Sequence, residues 1–412
     1  MTSLSFPAHG DSVITCLLFS HGRIISASDD HSIHVYSSTT GELLRALDGH
    51  EGGVWAIAAS EDTLVSGSTD RTVRVWDLAA GRCTHVFGGH TGTVRCLALA
   101  QPEWTEREGP GGAVAREQWP KQQLIVSGSR DHSLRVWALP QAGDAEYRSA
   151  AEGDLAVEPE DVSAHADFAS SAIVEPFLQV DDAHNPYHKL HLQGHDGPVR
   201  ALAVHGRMAV SGSYDCTVRV WDIVTGECKW TSYAHTGKVY SVALDPSRNK
   251  VYSGAMDMTV CIWDLLTGER KILTGHTSLV GLLRVSPSYL VSAAADATLR
   301  VWDPDTGALR HTLAGHAGAV TCFQHDEYKV LSGSDGTLKM WDVRDGTAVR
   351  DLLTGATGVW QVVFEGRWCV AAANRDGATF IDVWDFGNGN AGIWPGGSDG
   401  GIDAQEAKDR AD

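Results

Sequence analysis

Seven histidines, each preceded by Gly or Ala, recur along the 412-residue chain at His9, His50, His90, His195, His235, His276 and His316, with Asp30, Asp70, Asp131, Asp215, Asp257, Asp296 and Asp335 coming after them in turn. With serines close by, these are the parts of a hydrolase triad: a nucleophile, its base and an orienting carboxylate. A nucleophile is needed once, however, and a set repeated in every unit reads as a scaffold bond made once per unit. Metal binding falls to the same arithmetic, because the histidines come one per unit and never cluster at ligand spacing. No catalytic residue, metal site or cofactor is expected. A second set of residues breaks the repetition. In "GSTDRTVRVWDLAAGRCTHVFGGHTGTVRCLAL", Gly67 to Leu99, Arg71 and Arg95 fill slots that other units fill differently, and Arg130 does so in the next unit. Guanidinium groups crowded together in a chain of net charge -19 repel one another unless an anion is bound. A phosphate, with three acceptor oxygens and nearly two charges, matches their forked geometry.

The elements that position these residues are strands. An aromatic residue closes each unit (Tyr36, Trp76, Trp137, Trp221, Trp263, Trp302, Trp341), and Trp384 closes an eighth unit that has no His of its own. Between the marks lie apolar segments of strand length such as "VRCLAL", "LIVSGS" and "LRVWAL", separated by Gly, Asp and Ser turns. A repeat of this length with Gly-His and Trp-Asp marks signals an all-β propeller of four-stranded blades, here eight of them. An apolar residue stands three before most of the histidines, as Leu47, Phe87, Leu192, Leu273 and Leu313 do, and Phe6 has the same offset from His9. Ser3 to Phe6 is therefore expected to supply the outer strand of the last blade and close the ring, so that the propeller occupies residues 1–386.

The units act as an alignment internal to the chain. At the start of the first strand it reads Ile14, Trp55, Arg95, Arg200, Tyr240, Gly281, Thr321, Trp360, and before the turn Asp it reads Asp29, Thr69, Arg130, Tyr214, Met256, Ala295, Ser334, with Arg375 in the eighth unit. Strand alternation puts both series, and Arg71, on one face near the channel. Arg, Trp and Tyr collect in units two to five and eight, and they are the residue types that dominate binding hot spots. Arg74, Arg135, Arg219 and Arg300, two before the Trp, are expected to be solvated strand-surface charges.

Composition narrows the partners. The net charge argues against a general attraction to nucleic acid or membrane, and no apolar run approaches bilayer length. Eight cysteines, scattered singly with no leader ahead of them, fit reduced thiols of the nucleus or cytoplasm. Two inserts interrupt unit three, about 101–120 and 141–189. The second, with 11 acidic and 2 basic residues, is expected to be disordered and to hang from the face away from the arginines, and the acidic tail 387–412 is expected to be disordered too.

"GSTDRTVRVW", "HTGTVRCLAL" and "VSGSRDHSLRVW" in consecutive units closely resemble the propeller of the F-box/WD-repeat substrate receptors, the phosphodegron readers of SCF-type ubiquitin ligases. The resemblance implies that Arg71, Arg95 and Arg130 hold the phosphate of a phosphothreonine followed by proline. It implies that Trp55, Thr69, Tyr214, Tyr240, Trp360 and Arg375 line the groove for flanking residues, to which the internal alignment adds Arg200. The partners implied are phosphorylated protein clients and, through an F-box or another protein, SCF components. Two departures stand out. Trp360-Gln361 replaces a Trp-Arg pair, which bears on a second anionic contact, and no F-box precedes the first repeat. The alternative is a general WD-repeat interaction scaffold without a ligase role.

Overall fold

The computed structural model describes residues 2–108, 114–141, 143–149 and 185–387. Eight antiparallel sheets succeed one another along the chain, seven of them in simple sequence order from inside outward. Blade 2 is typical: Val54–Ser60, Thr63–Ser68, Val73–Asp77 and Arg82–Phe87 run from the channel to the rim. The innermost strands of neighbouring blades pack on one another all round the ring and form the channel wall. One apolar cluster fills each gap between neighbouring blades, from Ile25, Val35 and Trp76 between blades 1 and 2 to Val370, Ile381 and Tyr36 between blades 8 and 1. Strands buried on both faces explain the near-continuous apolar runs of the sequence. The Ser-Gly-Ser of the second strands has a steric reason as well. A Cβ on Gly67 would stand 2.5 Å from Val94 of the next blade, so glycine sets how closely two blades approach.

Ring closure agrees with the sequence expectation. Thr2–Pro7 pairs antiparallel with Ala378–Asp385 in the register Ser3↔Trp384, Phe6↔Ile381, and becomes the fourth strand of blade 8.

The inserts are more structured than their composition suggests. Glu103–Glu108 and Val114–Trp119 form a two-stranded hairpin in the 101–120 insert. Near the start of the acidic insert, Tyr147–Arg148 adds a fifth strand to blade 2, parallel to Arg82–Phe87 with Tyr147↔His85 and Arg148↔Val86. The disorder expected of the remainder of that insert and of the tail concerns residues 151–184 and 388–412, which lie outside the described residues.

The slot two before the Trp is corrected. Arg74 and Arg135 are only 3% and 5% exposed, and Arg300 donates to the Gly275 carbonyl at 2.8 Å. Arg74, Arg219 and Arg300 lay their guanidinium groups against the link glycines Gly49, Gly194 and Gly275, and Arg135 lies 5.9 Å over Trp137, so Arg74 and Arg135 are buried and Arg219 and Arg300 half-buried.

Candidate functional site at the channel mouth

The residues of the mouth are aimed by two backbone devices. The first is a β-bulge at the start of the first strand. In blades 1 to 6 and 8 the register skips one residue, namely Thr15, Trp55, Arg95, Arg200, Tyr240, Gly281 and Trp360. A bulged residue drops out of the ladder and its side chain is redirected, here to the lip of the channel. The blade 1 member is thus Thr15, not Ile14, which is fully buried opposite Ser28.

The second device is the clamped turn between second and third strands. In blade 2, Trp76 Nε1 donates to Ser66 Oγ at 2.7 Å, Ser66 Oγ lies 2.7 Å from His50 Nε2, and His50 Nδ1 lies 2.6 Å from Asp70. Burial pushes His50 below the ordinary histidine range. Asp70 is held well below the usual carboxylate range, because the His50 and Thr72 hydrogen bonds outweigh the opposing effect of its burial. The neutral imidazole therefore donates from Nδ1 to the carboxylate and accepts at Nε2 from the serine. Asp70 in turn accepts from the Thr72 amide, which fixes a turn with Thr69 on one side and Arg71, at φ 70°, on the other. The same bonds in blade 3 (His90 to Asp131 and Ser127, both 2.8 Å) hold Arg130, and those in blade 4 (His195 to Asp215 and Ser211, both 2.7 Å) hold Tyr214. The repeated His, Asp and Ser are scaffold, and they place the residues that vary.

These devices bring Trp55, Arg95, Arg200, Tyr214 and Tyr240 side by side at the lip, with Thr69, Arg71 and Arg130 on the clamped turns of blades 2 and 3. The Arg95 guanidinium stacks 3.7 Å above the Trp55 ring. Burial first, and then the neighbouring Arg200, pull the Arg95 pKa down to about 10, so two cations share a partly desolvated space. Tyr214 and Tyr240 continue the row with ring centroids 5.3 Å apart, and burial, with the Tyr214 neighbour second, raises the Tyr240 phenol. Lys238 lies 5.0 Å over the Tyr214 ring. Sequence reading misses this lysine because it sits in a link, outside both aligned series. Among the described residues, Arg71, Arg95, Arg130 and Arg200 make no ion pair. On the opposite face, by contrast, Arg23, Arg82, Arg207, Arg248, Arg310, Arg344 and Arg367 each hold a carboxylate. The arginines of the far face are thus neutralised within the chain, and the four of the mouth are not.

The family model for "WD domain, G-beta repeat" (WD40) matches residues 2–37, 41–77, 114–138, 186–222, 226–264, 268–303 and 307–342. The chain belongs to the WD40 repeat family. Cell division control protein 4 of Candida albicans is 43% identical over 392 residues, which is 93% of this chain and 53% of that protein. The protein of the same name from Saccharomyces cerevisiae is 36% identical over 92% of this chain and 47% of its own length. The chain thus spans about half the length of these curated relatives. Among solved structures, the computationally designed Ika8 protein superposes with a TM-score of 0.67 at 29% identity, over 92% of this chain and 98% of that one.

Seven matched segments and eight blades differ because the last WD40 blade keeps its Trp384-Asp385 but has no repeat His, Ser or turn Asp. Cys369↔Trp384 is the counterpart of Leu64↔Trp76, so Ala371 takes the place of Ser66 and Asp382 the place of Arg74. By this register Asn374, not Arg375, is the counterpart of Thr69, Arg130 and Tyr214. Arg375 falls at the Asp70 position instead. It pairs with Asp382 and donates to Ser5 Oγ at 3.1 Å, so it points along the blade toward the closing strand and away from Arg95. The Asp70–Arg74 pair of blade 2 is here inverted in sign. Gln361, at the Trp-Arg departure, donates from Nε2 to the Thr15 carbonyl at 2.7 Å and ties blade 8 to blade 1.

Asp335 also departs from its expected role. Blade 7 is one residue shorter at its turn, which passes through Gly336 at φ 80°, and His316 Nδ1 bonds Thr337 Oγ1 at 3.1 Å where the other blades use Asp.

Proposed function

We propose that this WD40 propeller is a non-catalytic receptor for phosphorylated protein clients, reading phosphothreonine followed by proline after apolar residues. The observation that carries the reading is the unpaired arginine group, with Arg95 stacked over Trp55 and Arg200 near enough to act on its charge. A phosphate there offsets their repulsion and takes several charge-assisted hydrogen bonds, while Trp55, Tyr214, Tyr240 and Trp360 offer apolar faces to flanking residues. In the receptors that the motifs resemble, recruitment of the ubiquitin ligase belongs to an F-box segment and client choice to the propeller. This chain takes the second part, acting in the nucleus or cytoplasm with SCF components supplied through an F-box or another protein.

The test is a titration with a fluorescent phosphothreonine-proline peptide and its unphosphorylated twin. Arg71→Ala, Arg95→Ala and Arg130→Ala should each cost at least about 2 kcal/mol, the scale of a hot spot. Arg344→Ala, whose side chain is paired on the opposite face, should cost nothing measurable. Binding indifferent to phosphate would favour a general interaction scaffold.

A further inference from the structure

The mouth does not account for every cation that borders the channel. Arg284 lies on the innermost strand of blade 6, Val280–Val285, three residues beyond the Gly281 bulge. At a strand rise of roughly 3.3 Å that puts it about 10 Å further in than the lip. In the same slot blades 2 to 5 carry Ala58, Ala98, Ala203 and Ala243, and blade 7 carries Gln324. All of these are partly open while the Val four positions before each is buried, and the open space beside an innermost strand is the channel. Gln324 spends its side chain on blade 8, where Nε2 donates to the Phe364 carbonyl at 3.0 Å and Oε1 accepts from the Phe364 amide at 2.9 Å. The Arg284 guanidinium has neither a hydrogen-bond partner nor a carboxylate among the described residues. It is open to the channel yet walled in by the ring, and that enclosure alone pulls its pKa below the ordinary arginine range, with no charged neighbour contributing.

The whole wall shares this character. Over the six positions that begin with that Val (Ile14 in blade 1), the eight innermost strands hold no Asp or Glu, in a chain that has 52, and they hold three arginines, Arg95, Arg200 and Arg284. The proposed client phosphate engages the first two at the lip. The third, with five N–H donors in a fixed fork and no acceptor on the protein, is costly to enclose unless a counter-charge joins it. We propose that the channel holds a small inorganic anion at Arg284, at a site separate from the phosphopeptide mouth. The four alanines leave room in front of the guanidinium, with Ala58 standing across the eight-membered ring in blade 2. Entry is from the mouth. At the far end of the wall the next position brings Asp245, Asp326 and Glu365, whose charges turn anions away, although the first two are paired with Arg248 and Lys329. A lone cation among apolar neighbours recognises charge more than shape, so chloride, bromide and phosphate all qualify.

Crystals of the full chain soaked in sodium bromide test the site directly: an anomalous peak should stand within hydrogen-bonding reach of the Arg284 guanidinium, and it should persist in Arg95→Ala. In solution, replacing gluconate by chloride at constant ionic strength should raise the melting temperature of the parent, by about 2 °C or more near saturation. Arg284→Met keeps an apolar stem and removes the charge. It should melt no lower than the parent in gluconate and gain clearly less from chloride, whereas Arg284→Lys, which keeps the charge, should still gain. Phosphopeptide affinity of Arg284→Met should stay within about twofold of the parent, since the two sites stand roughly a Debye length apart at 0.1 M salt. A bromide map without a peak at Arg284, or equal chloride gains in the parent and Arg284→Met, would overturn the channel site. A loss of phosphopeptide affinity in Arg284→Met as large as that of Arg95→Ala would overturn its separateness and make Arg284 part of the mouth. If Arg284→Met does not fold, the bromide map of the parent decides. Phosphopeptide binding that fails in every chain while the bromide peak stands would sink the phosphopeptide reading and leave the channel site in place.

Discussion

Arg95 is a partly buried cation with a second cation, Arg200, acting on it. Its pKa is drawn down to about 10 by burial and by Arg200, yet it remains protonated at neutral pH, so the free protein carries an unfavourable charge pair that an anion relieves. Arg95 stays protonated between pH 5 and 8, whereas a phosphate monoester gains its second proton near pH 6. Affinity for the phosphopeptide should therefore be flat above about pH 7 and fall as pH drops through 6, with the Arg95→Ala residual binding showing a shallower fall. Titration by anisotropy at several pH values measures this, and a pH-independent Kd would mean that the second phosphate charge is not used. Stability should fall in the same direction for a different reason. His316, with no Asp partner and pushed by burial and then Lys339 to about 4, is held neutral in the fold, and the unfolded side chain takes up its proton near 6.5. A depressed folded pKa gives stability that is full above the unfolded value and lost as pH falls from about 6.5 toward 4. His316→Gln should flatten the melting temperature over that window relative to the parent.

At the scale of elements, the fifth strand of blade 2 yields a direct structural test. Gly88→Val puts a branched side chain where Ser149 lies, so the edge strand should detach and take Tyr147 off the cluster around Phe87, while the four inner strands of blade 2 stay paired. Hydrogen exchange at the Ser149 amide should quicken by orders of magnitude, with the Val75 and Val65 amides unchanged. An unaltered Ser149 rate would mean that the edge strand is held by something other than this contact. Nothing in the sequence announces that strand, since two residues of pairing carry no periodicity. Repetition makes the rest legible: the blades, the closing strand and the Arg71–Arg95–Arg130 group can be read because eight copies expose what varies. Legibility fails where a copy changes length. The internal alignment points to Ile14 instead of Thr15, and to Arg375 instead of Asn374, because one extra residue in the link after His9, or a longer hairpin in blade 8, shifts the register by one, and one residue turns a side chain to the other face. The burial of Arg74 and Arg135 is equally invisible, because a charge two before a Trp looks the same in sequence whether it meets water or covers the ring.

Across the whole molecule, the ring holds together through a contact between its two ends. Thr2–Pro7 pairs along its full length with Ala378–Asp385, and the Phe6 ring packs 5.0 Å from that of Tyr36 in blade 1, so the strand both completes blade 8 and bridges the seam. Every other blade takes its four ladder strands in chain order, blade 3 around its inserts. Here the partner strands are separated by nearly the entire sequence, and no neighbouring segment substitutes. Deleting residues 1–7 should remove six ladder positions and the partly buried Leu4 and Phe6, and should expose Ala378–Asp385 as an open edge. Each apolar side chain withdrawn contributes about 1.5–3 kcal/mol when fully buried, and the seam between blades 8 and 1 is shared by all eight blades in a closed ring, so the cost reaches several kcal/mol and is cooperative. The truncated chain should melt well below the parent, aggregate through the open edge, and lose phosphopeptide binding as Trp360 and Trp55 lose a common frame. Phe6→Ala, which keeps the ladder and removes only the ring, should cost about 2 kcal/mol and leave binding intact at temperatures below its melt. Calorimetry of the three proteins separates the terms, and a truncated chain that melts with the parent would mean that the ring is closed by blade packing alone.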